Sequence, residues 1–158
     1  MLRLLWISVA VFVLDQWSKS WMSERLTYLV PEEVTFFFNL TLAHNTGAAF
    51  SFLSDAGGWQ RWFFVILAIV VSAVLVVWVK RLTSQQALEA TGLVLIIGGA
   101  LGNGWDRAID GYVVDFLSFH YAGYYFATFN VADIAIFCGA VLLIFESLRV
   151  AKQEKAHS

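Results

Sequence analysis

Cysteine and charge are scarce in this chain. Cys138 is the only cysteine among 158 residues, so neither an internal disulfide nor a thiolate metal cluster can form within the chain. Charged residues make up only 14% of the sequence, the net charge is −2, and no basic block indicates a nucleic-acid surface. A disulfide scaffold, a cysteine-based metal centre and a nucleic-acid partner therefore have no support in the sequence.

Two common hydrolase motifs are also missing. There is no His-Glu-x-x-His segment, and His44, His120 and His157 are scattered along the chain, so a zinc-binding helix is unsupported. No Gly-x-Ser-x-Gly segment occurs, so a serine nucleophile on a strand-to-helix turn is unsupported as well. Any catalytic chemistry must therefore rest on other side chains.

Long apolar runs dominate what remains. Hydrophobic residues make up 59% of the chain, against about 45–50% in soluble domains, and the mean hydropathy is +0.71. Four segments approach the roughly 20 residues that span a bilayer, and the tryptophans lie near the segment ends, as interfacial rings do. We predict one integral membrane domain over residues 1–158, mainly α-helical, with four transmembrane helices at about 2–21, 59–79, 87–105 and 131–150.

The basic residues predict how these helices are oriented. Six lie on one side and four on the other, and the positive-inside rule places the richer side, with both termini, in the cytoplasm. Segments 26–58 and 108–129 then lie on the outer face. The first span also resembles the apolar part of a signal peptide, but no small-x-small cleavage site follows it, so we expect it to remain as a helix. The six are Arg3, Lys80, Arg81, Arg149, Lys152 and Lys155; the four are Lys19, Arg25, Arg61 and Arg107.

The two outer segments contain patterns typical of β-strands. Val34–His44 alternates apolar and polar side chains and predicts one strand, which a turn at Asn45-Thr46-Gly47 would join to a second short strand at Ala48–Leu53. Tyr112–Phe119 predicts another strand, followed by a cluster of aromatic residues. We expect a small β-sheet and extended loop on the outer face, with aromatic side chains toward the lipid.

Two aspartates interrupt stretches that otherwise face the membrane. Asp115 lies in a strand-like run and Asp133 at the start of the fourth span, where a carboxylate costs roughly 3 kcal/mol or more. Two carboxylates that share a proton can hydrolyse a peptide bond, because like charges push their pKa values apart. Simpler interpretations stay open: Asn130 and Asp133 match a capping box, and Asp115 matches a charged edge strand.

Further polar residues lie near the ends of the predicted spans. Asp15 and Lys19 are four apart and can pair on one helix face, either as an interfacial ion pair with Lys19 extending outward or as support for a site. Asn45 to Ser51 predicts a tight turn or a loop that approaches a bound peptide. The third span ends with residues that share one face by helical spacing: Gly99, Gly102, Asn103 and Asp106, followed by Arg107.

Five short motifs run through these residues in order. They are Asp15-Gln16-x-Ser18-Lys19, Asn45-x-Gly47-Ala48-Ala49-Phe50-Ser51, Gly99-Ala100-x-Gly102-Asn103-x-x-Asp106-Arg107, Val114-Asp115-Phe116 and Phe129-Asn130-x-Ala132-Asp133. Together with the four apolar spans, they resemble the bacterial lipoprotein signal peptidase, or signal peptidase II, family. The likeness covers nearly the whole chain.

The resemblance implies an aspartic endopeptidase of the bacterial inner membrane that needs no metal or cofactor. Such enzymes remove the signal peptide from prolipoproteins just before a cysteine that carries a diacylglyceryl group, and cyclic peptides of the globomycin type inhibit them. Carried over by motif, Asp115 and Asp133 become the catalytic pair, at the periplasmic face, in a protein expected to be monomeric. The implied substrate-binding or supporting residues are Asp15, Lys19, Asn45, Gly47, Asn103, Arg107 and Asn130.

Three other interpretations remain open on the residues alone. Carboxylates at Asp15 and Asp133 also suit a small proton-coupled transporter or channel subunit. The Gly98 and Gly102 pair suits a scaffold that binds a partner's helix. A metal held by His120 and both aspartates is a third possibility, distinct from a shared-proton pair.

Overall fold

A computed structural model describes residues 1–47, 58–121 and 124–157 of the chain. Four long helices are joined by a small antiparallel sheet, with short 3-10 turns at Leu2–Leu4 and Ser84–Gln86. The helices are α1 (Leu5–Arg25), α2 (Trp59–Arg81), α3 (Ala87–Ile109) and α4 (Val131–His157); the strands are β1 (Glu32–Thr35), β2 (Phe38–Asn45), β3 (Val113–Tyr121) and β4 (Tyr124–Phe129). The mainly α prediction with a small sheet is confirmed, and α4 runs seven residues beyond its predicted end at 150.

The helix α3 is the centre of the bundle, because it packs against each of the other three helices. Glycines allow the closest approaches. A Cβ on Gly92 would lie 2.9 Å from the carbonyl oxygen of Gly139, and one on Gly99 would collide with the carbonyl oxygen of Ala132. Of the small residues predicted near the end of the third span, Gly99 contacts α4, whereas Gly98 and Gly102 lie closest to α1. Glycines thus bring α3 close to both neighbours, as in other glycine-rich membrane helices.

The two ends of the bundle are distinguished by the sheet. The end at which α1 leads into β1, α3 leads into β3 and β4 leads into α4 is called the sheet end; the other end, with the 82–86 connection, is called the opposite end. At the opposite end a purely apolar cluster fills the interior. Its fully or almost fully buried members are Val79, Leu93, Val94 and Ile97.

Three segments are long and apolar enough to cross a membrane: Trp59–Arg81, Ser84–Ile109 and Val131–Gln153, among the residues described. The helix predicted as the first span is present as α1, but it is not one of the three. Its sheet-end half contains Asp15, Gln16 and Lys19, which lower its hydropathy. A fourth span over α1 therefore stays a prediction.

The sheet has the order β1-β2-β3-β4 with antiparallel neighbours. The prediction of one strand over Val34–His44 is wrong, because the chain turns at Phe36 and Phe37 and forms the β1–β2 hairpin. The rings of both phenylalanines are exposed at this turn, which explains why Phe37 breaks the alternation. The second strand predicted at Ala48–Leu53 lies outside the described residues.

The strand β3 confirms the prediction for Tyr112–Phe119 to within two residues at each end. Its partner β4 begins in the aromatic cluster, where Tyr124, Tyr125 and Phe126 are exposed. Because β4 ends at Phe129 and α4 begins at Val131, the sheet delivers the chain directly to Asn130 and Asp133. The expected contact between the aromatic side chains and lipid stays a prediction.

Candidate active site

Asp115 lies in the middle of the sheet end, on β3, opposite Ala43 of β2. Only 3% of its surface is exposed. Its Oδ1 accepts a hydrogen bond from Asn130 Nδ2 at 2.7 Å, and its Oδ2 accepts one from Asn45 Nδ2 at 3.2 Å. Asp115 is therefore not a charged edge residue, since amide donors from β2 and from the start of α4 both contact it.

The environment of Asp115 favours its protonated form. Burial, and after it the negative charge of Asp133, raise the pKa of Asp115 to about 7, while the hydrogen bonds from Asn45 and Asn130 oppose the rise. This is the behaviour of two carboxylates that cannot both ionise easily in one site. Near neutral pH, Asp115 can therefore give up or take a proton.

Asp133 occupies the first turn of α4 and belongs to the capping box predicted there. The backbone N–H of Asp133 donates to Asn130 Oδ1 at 2.9 Å, and the backbone N–H of Asn130 donates to Asp133 Oδ2 at 3.3 Å. The other carboxylate oxygen accepts a hydrogen bond from Asn103 Nδ2 at 2.8 Å. The capping interpretation is correct, but it leaves Oδ1 directed toward α3 rather than toward the helix end.

Asn130 connects the two aspartates. It is completely buried, its Oδ1 caps the backbone of Asp133, and its Nδ2 donates to Asp115. The same Nδ2 also lies 3.1 Å from Asn103 Oδ1 and 3.3 Å from the carbonyl oxygen of Val114. A side-chain amide suits this position, because it carries a donor and an acceptor on separate atoms and can contact both aspartates at once.

Lys19 is buried beside the pair and contacts three oxygen atoms. Its Nζ lies 2.7 Å from Asp15 Oδ2, 2.8 Å from Asp106 Oδ2 and 2.9 Å from Asn103 Oδ1. The predicted pairing of Asp15 with Lys19 is confirmed. The alternative in which Lys19 extends outward is wrong, because 97% of its surface is covered and its acceptors on α3 lie inside the bundle.

Asp15 holds the start of α4 against α1. It is fully buried, and its Oδ1 accepts a hydrogen bond from the backbone N–H of Ala132 at 2.8 Å. Gly102 makes the space for it, since a Cβ there would lie 2.6 Å from Asp15 Oδ2. Asp15 therefore positions the helix turn that carries Asp133 and does not contact Asp133 itself.

Arg107 joins the end of α3 to the turn that follows β2. Its Nη2 donates to the carbonyl oxygen of Gly47 at 2.6 Å, its Nη1 donates to the carbonyl oxygen of Asn103 at 3.2 Å, and its guanidinium lies 4.9 Å from the centre of the Phe64 ring. The backbone N–H of Gly47 donates to Asn45 Oδ1 at 3.1 Å. The turn predicted at 45–47 is thus an Asx turn anchored by an arginine.

Comparisons with known proteins identify the family of this chain. The profile of the family described as Signal peptidase (SPase) II matches residues 7–149. The chain belongs to the signal peptidase II family. A lipoprotein signal peptidase of Alteromonas mediterranea is 49% identical over 148 residues, which are 94% of this chain and 81% of that protein. Another, from Pseudomonas aeruginosa strain UCBPP-PA14, is 52% identical over 156 residues, 97% of this chain and 92% of its own length.

A solved structure supports the same relationship at the level of the fold. A bacterial membrane enzyme determined by the in meso method superposes with a TM-score of 0.85 at 30% identity, covering 97% of this chain and 92% of the other. The agreement extends over all four helices and the sheet, because so little of either chain is left out. The transporter and scaffold alternatives receive no support from these comparisons.

The nine site residues predicted from the signal peptidase II motifs form one connected network. Hydrogen bonds lead from Asn45 to Asp115, on to Asn130 and Asp133, and then to Asn103 and Lys19. The remaining three join through Lys19 or Asn103: Asp15, Arg107 and, through Arg107, Gly47. Every one of the nine therefore lies within the same group of contacts at the sheet end.

Two residues of the network are missing from the predicted site set. Asp106 Oδ1 accepts a hydrogen bond from Gln16 Nε2 at 2.6 Å, and Asp106 Oδ2 contacts Lys19 and lies 3.3 Å from the backbone N–H of Val114. Both residues belong to the family motifs, and Asp106 shares the face of Asn103 one turn on. That spacing was the signal that should have placed Asp106 in the set.

The metal alternative loses its geometric basis. No group of three or more histidine, cysteine, aspartate or glutamate side chains suited to a metal ion occurs in the described ranges. His120 instead contacts Asn39 Oδ1 at 3.1 Å and packs against the Tyr125 ring. Its neighbours are therefore residues of the sheet, and the aspartate pair is surrounded by amides.

Proposed function

We propose that this signal peptidase II family member is an aspartic endopeptidase in which Asp115 and Asp133 form the catalytic pair. The observation that carries the proposal is the single buried amide, Asn130, that contacts both aspartates. The substrate is a diacylglyceryl-modified bacterial prolipoprotein, and cleavage removes the signal peptide just before the lipidated cysteine. Relatives named lipoprotein signal peptidase at about half identity support this choice of substrate.

The surroundings of the two aspartates suggest which of them starts with the proton. Asp133 lies at the N-terminus of α4, where a carboxylate is stabilised by the helix dipole, and it accepts hydrogen bonds from Asn103 and from a backbone N–H. Asp115 is the more buried of the two, and its pKa of about 7 keeps much of it protonated at neutral pH. In this assignment Asp133 is the base and Asp115 the acid.

The chemistry then follows the general acid–base pattern of an aspartic pair. Asp133 takes a proton from water as the water oxygen bonds to the scissile carbonyl carbon, and Asp115 donates its proton to the carbonyl oxygen. When the carbon–nitrogen bond breaks, the departing amine takes the proton held by Asp133. Asp115 recovers its proton from the hydroxyl that becomes the new carboxyl group. Both residues end as they began.

Neighbouring residues position the substrate peptide relative to the two aspartates. Asn45 contacts Asp115, and Gly47 is fixed by Arg107, so the 45–47 turn can present backbone groups to an extended substrate next to the catalytic carboxylates. Asn103 contributes by holding Asp133. These contacts support binding roles for Asn45, Gly47, Asn103 and Arg107, while Asp15 and Lys19 support the pair from within the bundle.

The site also fits a defined position in the bacterial inner membrane. A signal peptide spans the bilayer and its lipid-modified cysteine lies at the outer interface, so the catalyst must lie at that depth. In our proposal the sheet end faces the periplasm, both termini are cytoplasmic, and α1 is a fourth span that completes a multi-pass monomer. The working partners are the prolipoprotein and the phospholipid bilayer, globomycin-type cyclic peptides are the expected inhibitors, and no cofactor is required.

Cleavage by purified variants tests the proposal. Wild type, Asp115→Asn and Asp133→Asn would be compared on a diacylglyceryl-modified prolipoprotein in detergent, with and without EDTA. Glu146→Gln is the matched control, because Glu146 is also a buried acid but lies on α4 far along the helix from Asp133. We expect EDTA-resistant cleavage by wild type and control, and a loss of about 1,000-fold or more in both aspartate variants. Loss of activity to EDTA, or full cleavage by either aspartate variant, would reject the pair.

A further inference from the structure

Lys19 is unusual because its ammonium group is buried in the interior of the helix bundle and does not extend to the surface. A lysine ammonium has three hydrogens and accepts nothing, and Nζ here has three oxygen neighbours within 2.9 Å, on Asp15, Asp106 and Asn103. The first two of these oxygens belong to carboxylates. The third contact, to a neutral amide, is the informative one.

That contact, together with a longer one from Asn130 Nδ2 at 3.1 Å, fixes which way the amide of Asn103 points. Since Lys19 can only donate, the atom facing it must be the oxygen Oδ1, which leaves Nδ2 directed at Asp133 Oδ1 at 2.8 Å. In this orientation the Nδ2 of Asn103 donates to an ionised Asp133 but cannot accept a hydrogen bond from the O–H of a protonated one. Without Lys19, Asn103 Oδ1 keeps only the longer contact from Asn130 Nδ2, a group that also contacts Asp115 and the carbonyl oxygen of Val114. The amide can then rotate more easily and present its oxygen to a protonated Asp133.

We propose that Lys19, acting through Asn103, is the positioning residue that makes Asp133 the member of the pair that starts without a proton. This inference rests on the proposed function and assigns Lys19 a task beyond pairing with Asp15. Lys19 reaches no reacting atom, since Asn103 stands between it and Asp133. Lys19 acts on Asp133 in two ways: it orients the amide of Asn103, and its positive charge favours the ionised carboxylate.

The charges around Lys19 determine how the pair responds when one of them is removed. Asp15 faces Lys19 from α1 and Asp106 faces it from α3. Asp133 on α4 and Asp115 on β3 lie beyond Asn103. A second buried cation, Arg107, lies on α3. Removing the charge of Lys19 favours protonation of the pair. Removing the charge of Asp106 leaves Lys19 less compensated and has the opposite effect.

The test is the pH dependence of cleavage in Lys19→Met. We expect the acid limb of kcat/KM to move to higher pH by about one unit. On the acid side kcat should fall about tenfold, with KM changed less than about threefold, because a larger fraction of the base is protonated. Lys19→Arg, which keeps the charge, should restore the position of the acid limb. Lys80→Met is the matched control, because Lys80 is exposed at the opposite end, and it should behave as wild type.

Asp106→Asn supplies a second arm that keeps Lys19 in place. The acid limb of Asp106→Asn should move to lower pH, opposite to that of Lys19→Met. If Lys19→Met does not fold, the Asp106→Asn result alone tests the inference. A simple structural role would lower the yield of active enzyme without moving either limb. Unmoved acid limbs in the folded variants would overturn the inference, while inactive Asp115→Asn and Asp133→Asn would still leave the proposed function in place.

Discussion

The sheet end and the opposite end of the helix bundle are held together by different kinds of contact. At the opposite end Val79, Leu93 and Val94 are completely buried in an apolar cluster. At the sheet end the same helices bury Asp15 and Lys19 on α1 and Asp106 on α3, with 0%, 3% and 4% of their surfaces exposed. Side chains are buried at both ends, so the difference lies in their chemistry.

The sheet end buries charged groups, and this burial costs free energy. Buried ion pairs are seldom more stabilising than apolar packing of the same volume, because the charges must be removed from water. The opposite end has no such groups in its central cluster, which shows that these helices can pack without them. The polar network at the sheet end is therefore best explained by the proposed catalytic pair that it surrounds.

The largest effect should come from the amide that joins the pair. Asn130→Ala removes the donor to Asp115 Oδ1 and the acceptor for the backbone of Asp133, and we expect cleavage to fall about 1,000-fold with a loss of about 1 kcal/mol in stability from the missing cap. Asn39→Ala is the matched control, because Asn39 is also a buried asparagine of the sheet end but contacts His120. Equal losses in both variants would mean that the sheet, and not the pair, is being damaged.

Glycine substitutions at the two ends sharpen the comparison next. In Gly102→Ala the new Cβ would lie 2.6 Å from Asp15 Oδ2, and in Gly92→Ala it would lie 2.9 Å from the carbonyl oxygen of Gly139. We expect Gly102→Ala to lower kcat about tenfold to 100-fold by shifting Asp15 and the turn of α4 that it holds. Gly92→Ala should lower the melting temperature but leave kcat per folded molecule unchanged. The reverse pattern would contradict the division between the two ends.

The smallest predicted effect concerns stability and pH. Because the pKa of Asp115 is about 7 in the folded protein and 3.8 is its ordinary value, the unfolded chain releases this proton at lower pH than the folded one. The free energy of unfolding therefore falls as pH rises from 3.8 to about 7. Asp115→Asn lacks this slope, so it should melt a few degrees above wild type at pH 8, with the gap closing as pH falls. Thermal melts in detergent that show a constant gap would argue that Asp115 is not protonated in the folded state.

The sequence predicted which residues lie together at the sheet end better than it predicted the local geometry. Asp115 and Asp133 could be singled out because carboxylates are costly beside hydrocarbon, and the capping box at Asn130 follows from a three-residue spacing. The β1–β2 turn could not be found, because Phe36 and Phe37 give no turn signal of the usual kind. A hairpin built on exposed aromatic rings looks like one continuous strand.

The inward direction of the Lys19 side chain could not be predicted from the sequence either. A lysine near the end of a membrane helix usually extends toward water, and nothing within α1 argues otherwise. Its inward direction depends on Asp106 and Asn103, which are more than 80 residues away along the chain. Local spacing identifies which residues share a helix face, but only the packing of α1 on α3 determines what that face meets.

The pH profile of wild-type cleavage in the presence of EDTA tests the central claim most directly. A pair that shares one proton predicts a bell-shaped dependence of kcat/KM, with the acid limb marking protonation of the base and the alkaline limb, near pH 7, marking loss of the Asp115 proton. The two limbs belong to the pair as a unit. Asp115→Asn and Asp133→Asn should show no cleavage at any pH, and therefore neither limb. A profile that keeps rising through alkaline pH would contradict the account, because it would require an activated nucleophile in place of two aspartates.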